Sequence, residues 1–228
     1  MKPSVTLAQT TTSDGATLSL RLHDGQYHMR IGGHGLMSTI ATSSEARLAE
    51  LACERLAKEG HKHVLIGGLG FGFTLRRVLE LVTTDVKVEV AELLPQVVAW
   101  NREHLQSVNG GLVDDPRVGI LIEDVFALLA RATAGQYDAV LLDVDNGPAA
   151  LVDRGNSRLY AEHGLRVLSR ALRVGGRAVF WSASPERSFL ARLTQAGFRA
   201  EAVATKAYAK SKRRTYTLFV ADWNGGGR

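Results

Sequence analysis

Three features of the sequence predict an α/β fold built on a mostly parallel seven-stranded sheet that ends in an antiparallel hairpin. From His63 onward, short apolar runs alternate with helix-like segments over brief connections, the βαβ rhythm of a doubly wound sheet. The apolar runs are nearly continuous, as in Ala139-Val140-Leu141-Leu142, which suits strands covered on both faces. The last two runs, Phe198 to Thr205 and Thr215 to Ala221, have only a polar loop between them. A parallel crossover needs a dozen or more residues, usually a helix, so these two must pair antiparallel.

The elements follow in order. Leu18, Leu20 and Leu22 alternate with Ser19 and Arg21, Asp24-Gly25 supplies a turn, and Tyr27, Met29 and Ile31 alternate on the way back. This predicts a short N-terminal β-hairpin over residues 16–31. Gly32-Gly33-His34-Gly35 interrupts the pattern, and a short third strand is expected over 36–41. Thr42 with Glu45 three residues on has the spacing of a capping box, opening a helix through Lys58 that ends at Gly60. Its apolar face is Leu48, Leu51, Ala52 and Leu56. Strands are then expected at 63–67, 86–91, 117–122, 137–143 and 176–181, with helices at 73–82, 95–105, 124–132, 157–172 and 185–196. The terminal antiparallel pair turns the doubly wound scheme into a Rossmann-like class I methyltransferase fold. The chain divides into a β-hairpin extension (1–41), a Rossmann-like nucleotide-binding domain (42–223) and a disordered tail (224–228).

Composition narrows the class. With 228 residues, 45% hydrophobic and 22% charged, the chain can bury one ordinary core. No apolar run reaches the roughly 18–20 residues of a membrane span, and Met1-Lys2-Pro3-Ser4 opens no hydrophobic signal core. A single cysteine, Cys53, sits among Leu51, Ala52 and Leu56, the setting of a structural thiol in a reducing compartment. A cytoplasmic protein with no membrane partner is expected. His28, His34, His61, His63 and His104 have no metal-ligand spacing to each other or to cysteine, and no metal is expected. The net charge is +5, and Lys206 to Arg214 concentrates basic residues around Tyr208, a loop able to meet nucleic acid or simply a solvated hairpin tip.

Candidate chemistry lies at the carboxyl ends of the strands, where open α/β sheets bind ligands. The first strand runs into Gly67-Gly68-Leu69-Gly70-Phe71-Gly72-Phe73-Thr74. Gly68, Gly70 and Gly72 let the backbone turn sharply and approach a ligand, and the helix N-terminus beyond offers unpaired N–H groups. The later glycine of the dinucleotide fingerprint is replaced by Phe73 or Thr74, which favours an adenosyl cofactor lacking a pyrophosphate. Glu92 ends the second strand, where its two oxygens match a ribose diol. Asp124, after the third strand, can accept an adenine amino group, cap the next helix, or do both. The fourth strand delivers Asp143-Val144-Asp145-Asn146-Gly147-Pro148. Asp143, with Asp145 assisting, can hold a substrate amine and take its proton. Trp181, ending the fifth strand, is a candidate pocket wall or a core residue.

These residues resemble the spermidine synthase (polyamine aminopropyltransferase) family over about 36–222, most strongly from Val64 to Pro148. Gly68 to Arg76 lies where that family has its glycine-rich loop followed by Thr-Leu-Arg. Ala91-Glu92-Leu93-Leu94 is similar to its Val-Glu-Ile-Asp, and Asp115-Pro116-Arg117-Val118 with Glu123-Asp124 to its Asp-Pro-Arg-Val and Gly-Asp. Arg173-Val174-Gly175-Gly176 resembles its Lys-Pro-Gly-Gly turn. The resemblance implies Glu92 on the ribose, Asp124 on adenine and Asp143 as the base for the attacking amine. It also implies S-adenosylmethionine or decarboxylated S-adenosylmethionine as donor, with S-adenosylhomocysteine or methylthioadenosine as product. A polyamine or other small amine as acceptor and a homodimer follow on the same ground. Three departures stand out. Phe71 occupies the place of an Asp that holds the aminopropyl end, Thr42-Ser43-Ser44-Glu45 replaces a Tyr-His-Glu segment, and the loop after Asp143 is shortened. The expected function is a spermidine synthase-like transferase. The alternatives are a methyltransferase acting on a small molecule or nucleic acid, or a non-catalytic dimeric relative.

Overall fold

The computed structural model of the chain describes residues 4–12, 15–40, 42–56, 62–144, 154–208 and 215–226. It opens with four strands, β1 (Val5–Thr11), β2 (Thr17–His23), β3 (Gln26–Ile31) and β4 (His34–Ser38), paired antiparallel in that order. The expected hairpin is β2–β3, turned by Asp24 and Gly25, both at positive φ. Two corrections enlarge it. The threonine-rich segment before it pairs with β2 as an edge strand. Gly32 and Gly33, at φ +53° and +82°, form the tight turn that pairs Ile31 with His34, so the third expected strand starts at His34 and ends at Ser38. A Gly-Gly pair is a hairpin signal because both central residues of this turn need positive φ.

After α1 (Ser43–Cys53) the chain alternates through β5 (Lys62–Gly67), α2 (Phe73–Leu81), β6 (Val86–Glu92), α3 (Pro95–Glu103), a short α4 (Gln106–Asn109), β7 (Val118–Ile122), α5 (Val125–Arg131) and β8 (Tyr137–Leu142). It finishes with α6 (Glu162–Ala171), β9 (Leu172–Ser182), α7 (Arg187–Gln195), β10 (Arg199–Thr205) and β11 (Tyr216–Asp222). The seven strands are ordered β10-β11-β9-β8-β5-β6-β7, with β11 antiparallel to both its neighbours, β10 and β9, and the other pairings parallel. This is the expected sheet.

Side chains alternate across each strand, and that splits the apolar runs between two cores. Val64, Ile66, Ala139, Leu141 and Val179 pack under α1, α2 and α3, together with Leu18, Leu20 and Met29 of the small sheet. Leu65, Val140, Leu142, Ala178 and Phe180 pack under α5, α6 and α7. In the second core Phe189 meets Phe180 and Phe219 edge-on at 5.0 and 5.1 Å. Each such ring, buried outright, is worth about 1.5–3 kcal/mol.

Three helix expectations are corrected. The segment 157–172 is broken: a 3₁₀ turn (Arg154–Tyr160) precedes α6, and Ala161 between them is extended. Gly164 lies so close to this turn that a Cβ would sit 2.1 Å from the Arg158 carbonyl. The capping box does not form either. Thr42 makes no side-chain cap. The Ser43 amide instead donates to the Ala207 carbonyl, and Glu45 is turned elsewhere. The first helix is also shorter than expected, ending at Cys53 with Glu54 as its C-cap instead of running on to 58–60; residues 57–61, 209–214 of the basic loop and 227–228 of the tail lie outside the described residues. Cys53 is half-buried, and burial pushes its thiol up to about 12. No described helix is long and apolar enough to cross a membrane.

Candidate active site

The chain runs β5, β6, β7 outward on one side of β5, then returns to place β8 on the other. A crevice opens at such a switch point, beyond the carboxyl ends of the strands. Gly68 and Asp143 stand on its two sides. The Asp143 amide donates to the Gly67 carbonyl at 2.9 Å, and the Gly68 amide to Ala91 at 2.8 Å. Gly68 has φ +89°, and a Cβ there would lie 2.4 Å from the Asp143 carbonyl oxygen. The close approach that demands this glycine is therefore between the two strand ends themselves.

Gly70 (φ +52°) faces Met37 of β4, and Gly72 (φ +82°) is the N-cap of α2. The loop amides are less free than a bare helix N-terminus: Gly72 N–H donates to the Leu69 carbonyl at 2.8 Å, and Leu69 N–H to Glu92 Oε2 at 3.0 Å. Two residues unforeseen from sequence also pin the loop. Asn101, fully buried on α3, donates to the Gly70 carbonyl at 2.9 Å and accepts from Asn109 at 2.6 Å. Isolated asparagines carry no spacing signal, so only the fold reveals them.

Glu92 ends β6 with 8% of its surface exposed. Its oxygens accept from the Leu69 and Leu94 amides at 3.0 and 2.9 Å. Burial raises its pKa, and the surrounding backbone amides oppose that rise. A carboxylate oxygen has two lone pairs, so both oxygens can still accept from a diol. Asp124 is the N-cap of α5: its Oδ1 accepts from Ala127 N–H at 2.8 Å and pairs with Arg158 at 2.7 Å. Arg158 also lies 4.6 Å over the Phe126 ring. Glu92, Asp124, Gly68 and Gly70 line one lobe of the crevice, about 260 Å³, closed by Met29 and Met37 from the small sheet.

Asp143 joins that lobe to a larger one of about 440 Å³ and lines both. Thr74 Oγ1 donates to Asp143 Oδ2 at 2.8 Å. Burial pushes the Asp143 carboxyl up to about 6, against the pull of that hydrogen bond. Glu45, from the first turn of α1, faces the same lobe. Burial first, then the Asp143 charge, pushes it up to about 7, while Ser44 Oγ donates to it at 2.5 Å. Phe71 is buried in the wall, edge-on to Phe73 at 6.3 Å. Trp181 lines the cavity with its ring 4.7 Å from Tyr216. Asp145 lies outside the described residues.

The structure thus brings together Gly68, Gly70, Glu92, Asp124 and Asp143 and leaves Gly72 one step back, capping α2. The Asp115-Pro116-Arg117 segment is placed away from both lobes. Arg117 forks onto Asp115 and reaches the Leu79 and Val82 carbonyls at 3.1 and 3.3 Å. Among the described residues no group of three or more His, Cys, Asp or Glu is placed to hold a metal ion.

Comparison with known proteins assigns the scaffold. A "Spermine/spermidine synthase domain" model matches residues 47–218. A polyamine aminopropyltransferase of Pseudomonas aeruginosa is 38% identical over 142 residues, covering 60% of this chain and 38% of its own length. One of Mycobacterium tuberculosis is 32% identical over 146 residues, covering 63% of this chain and 27% of its own. The matched region is thus between about a quarter and two-fifths of these relatives. A crystal structure of spermidine synthase in complex with the transition-state analogue AdoDATO shares the fold, with a TM-score of 0.77 at 19% identity over 97% of this chain and 74% of that one. With residues 47–218 of its 228 matched, the chain belongs to the spermine/spermidine synthase domain family.

Proposed function

We propose that this protein transfers an alkyl group from an adenosyl-sulfonium donor to a small amine, with decarboxylated S-adenosylmethionine and an aminopropyl group as the first choice. The observation that carries this reading is the two-lobed crevice with Asp143 at its junction. The smaller lobe fits an adenosyl group: Glu92 for the ribose diol, Asp124 at the far wall for the adenine amino group, and Leu93 and Val125 as apolar sides. Family membership supports the same assignment.

When bound, the donor supplies a carbon activated by its bond to a positively charged sulfur. The chain's residues do the rest. Asp143 accepts a proton from the incoming ammonium, freeing the nitrogen lone pair. A nitrogen–carbon bond forms as the carbon–sulfur bond breaks, and that electron pair stays on sulfur, leaving a thioether and a secondary ammonium that carries the positive charge sulfur has lost. Thr74 fixes the Asp143 carboxylate, and the glycine loop held by Asn101 fixes the opposite wall. Such positioning can lower a barrier by about 7–11 kcal/mol. Asp145 is proposed to assist from the loop that follows Asp143.

Calorimetric binding of decarboxylated S-adenosylmethionine, S-adenosylmethionine and their two products, followed by turnover with amines, tests the reading. Preference for the decarboxylated donor and methylthioadenosine supports it. Phe71 motivates a second reading, since it puts an apolar ring in the wall where a charged donor tail would need a partner. Preference for the carboxylated pair would replace aminopropyl by methyl transfer. Binding of neither would end both.

Two outcomes follow. Glu92→Gln should weaken methylthioadenosine about tenfold, the loss of roughly one charge-assisted hydrogen bond, with kcat little changed at saturating donor. Asp143 must be ionised to take a proton, and its carboxyl is raised to about 6 beside Glu45 at about 7. Accordingly, kcat should climb between about pH 6 and 7 and level off above, read from initial rates at saturating donor. A flat profile would remove Asp143 as the base. A homodimer is the proposed assembly, with the small sheet, where β1 is an edge strand and Val5 is 51% exposed, as its candidate surface. Sedimentation velocity reads this directly.

A further inference from the structure

The larger lobe holds a second acid that the sequence pattern presents as a helix cap. Glu45 and Asp143 enter this cavity from different elements, the first turn of α1 and the end of β8, and are close enough for the charge on one to act on the other. Each is fixed by a neighbouring hydroxyl, Ser44 on Glu45 and Thr74 on Asp143. Tyr216 approaches Glu45 from β11, and His28 lines the lobe from β3. Among the described residues that line it there is no lysine or arginine. Two carboxylates therefore share one cavity whose described lining offers no lysine or arginine to balance them. Buried charge of this kind is costly unless paired, so the lobe is built for a cation from outside.

The remaining walls say what that cation carries. Phe71, Phe73, Trp181 and Tyr216 surround the acids, and aromatic faces attract ammonium groups and the alkyl or aryl carbon beside them. Asp143 lines both lobes and Glu45 only the larger one. We propose that Glu45 is a second acceptor-binding carboxylate, which with Asp143 clamps the reacting ammonium of a primary amine whose apolar body lies along Phe71, Phe73 and Trp181. Asp143, facing the donor lobe, takes the proton. Glu45 keeps its charge on the far side, holding the nitrogen in line before transfer and balancing the secondary ammonium afterwards. The acceptor class is an alkyl- or arylalkyl-amine with one ammonium at the acid pair. This rests on the transferase reading above.

The test uses the full chain saturated with methylthioadenosine and titrated calorimetrically with butylamine, hexylamine, phenethylamine and putrescine. Hexylamine and phenethylamine should bind more tightly than butylamine and than putrescine. Glu45→Gln should weaken every amine tenfold or more, leave methylthioadenosine affinity unchanged, and raise KM for the amine far more than it lowers kcat. Glu45→Asp, which keeps the charge but retracts it, should recover part of the loss; a purely structural role would give no such rescue. Amine affinities unchanged in a Glu45→Gln protein that melts normally would overturn the role of Glu45. Tighter binding of putrescine than of hexylamine would overturn the apolar acceptor. If wild-type protein fails to bind methylthioadenosine, the transferase reading falls and this proposal with it. If it binds methylthioadenosine and only the Glu45 effects are missing, the transferase reading stands alone.

Discussion

Replacing Asp143 with Asn will lower kcat by about 10²–10⁴-fold, the usual contribution of a positioned general base, and leave methylthioadenosine affinity nearly unchanged. The same variant will melt higher than wild type, and the two effects share one cause. Asp143 and Glu45 are held at about 6 and 7 against ordinary values of 3.8 and 4.5. Between about pH 4 and 7 the folded chain therefore keeps protons that the unfolded chain has released. Stability falls with rising pH wherever the folded state binds more protons, so this pair weakens the fold progressively across that window. An asparagine cannot ionise and still accepts from Thr74 through its carbonyl oxygen. The Tm advantage of Asp143→Asn should then be small at pH 4 and grow towards pH 7. Paired melting curves and initial rates at several pH values read both effects. A variant that loses Tm evenly at all pH values while keeping its kcat would place Asp143 in the scaffold and outside the chemistry.

That trade-off was only half legible in the sequence. The strands announced themselves because buried parallel strands need apolar residues at every position, and runs such as Ala139 to Leu142 leave no alternative period. The ends of those runs then identified Glu92, Asp124 and Asp143, since a carboxylate immediately after a buried strand lands at the sheet's carboxyl edge. The antiparallel close was legible for a similar reason: nothing between Thr205 and Thr215 could make a crossover helix. Glu45 was not legible in this way. Its spacing from Thr42 reads as local helix chemistry, and only the tertiary fold brings the start of α1 over the end of β8. The same holds for Arg158, whose partner Asp124 is 34 positions away in sequence and whose 3₁₀ turn interrupts what periodicity presents as one helix. At the N-terminus the local pattern understates the structure. Val5 to Thr11 alternates too weakly to be read as a strand, and it becomes one because β2 offers an unpaired edge.

Gly68→Ala will be the most damaging single substitution in the crevice for the fold itself. Two independent costs coincide there. The residue sits at φ +89°, where an L side chain costs about 1–2 kcal/mol. The added Cβ would also lie 2.4 Å from the Asp143 carbonyl oxygen and 3.1 Å from its carbon. Those are backbone atoms at the end of a central strand, tied to Gly67 by the Asp143 amide, so no flexible side-chain tip can swing away. Relief must come from parting β5 and β8 at their carboxyl ends, an overpacking strain of about 1–3 kcal/mol. The sum, about 2–5 kcal/mol, corresponds to a fall in Tm of roughly 5–15 °C for a chain of this size. Because the strand ends carry the two walls of the crevice, donor binding should fall with stability. Gly70→Ala provides the contrast: its new methyl would meet Met37 Sδ at 3.1 Å, the end of a side chain that can move, so only the backbone penalty should remain. Equal Tm losses at the two positions would mean that the strand ends yield easily, and the crevice would then be far less rigid than the close contact between Gly68 and Asp143 requires.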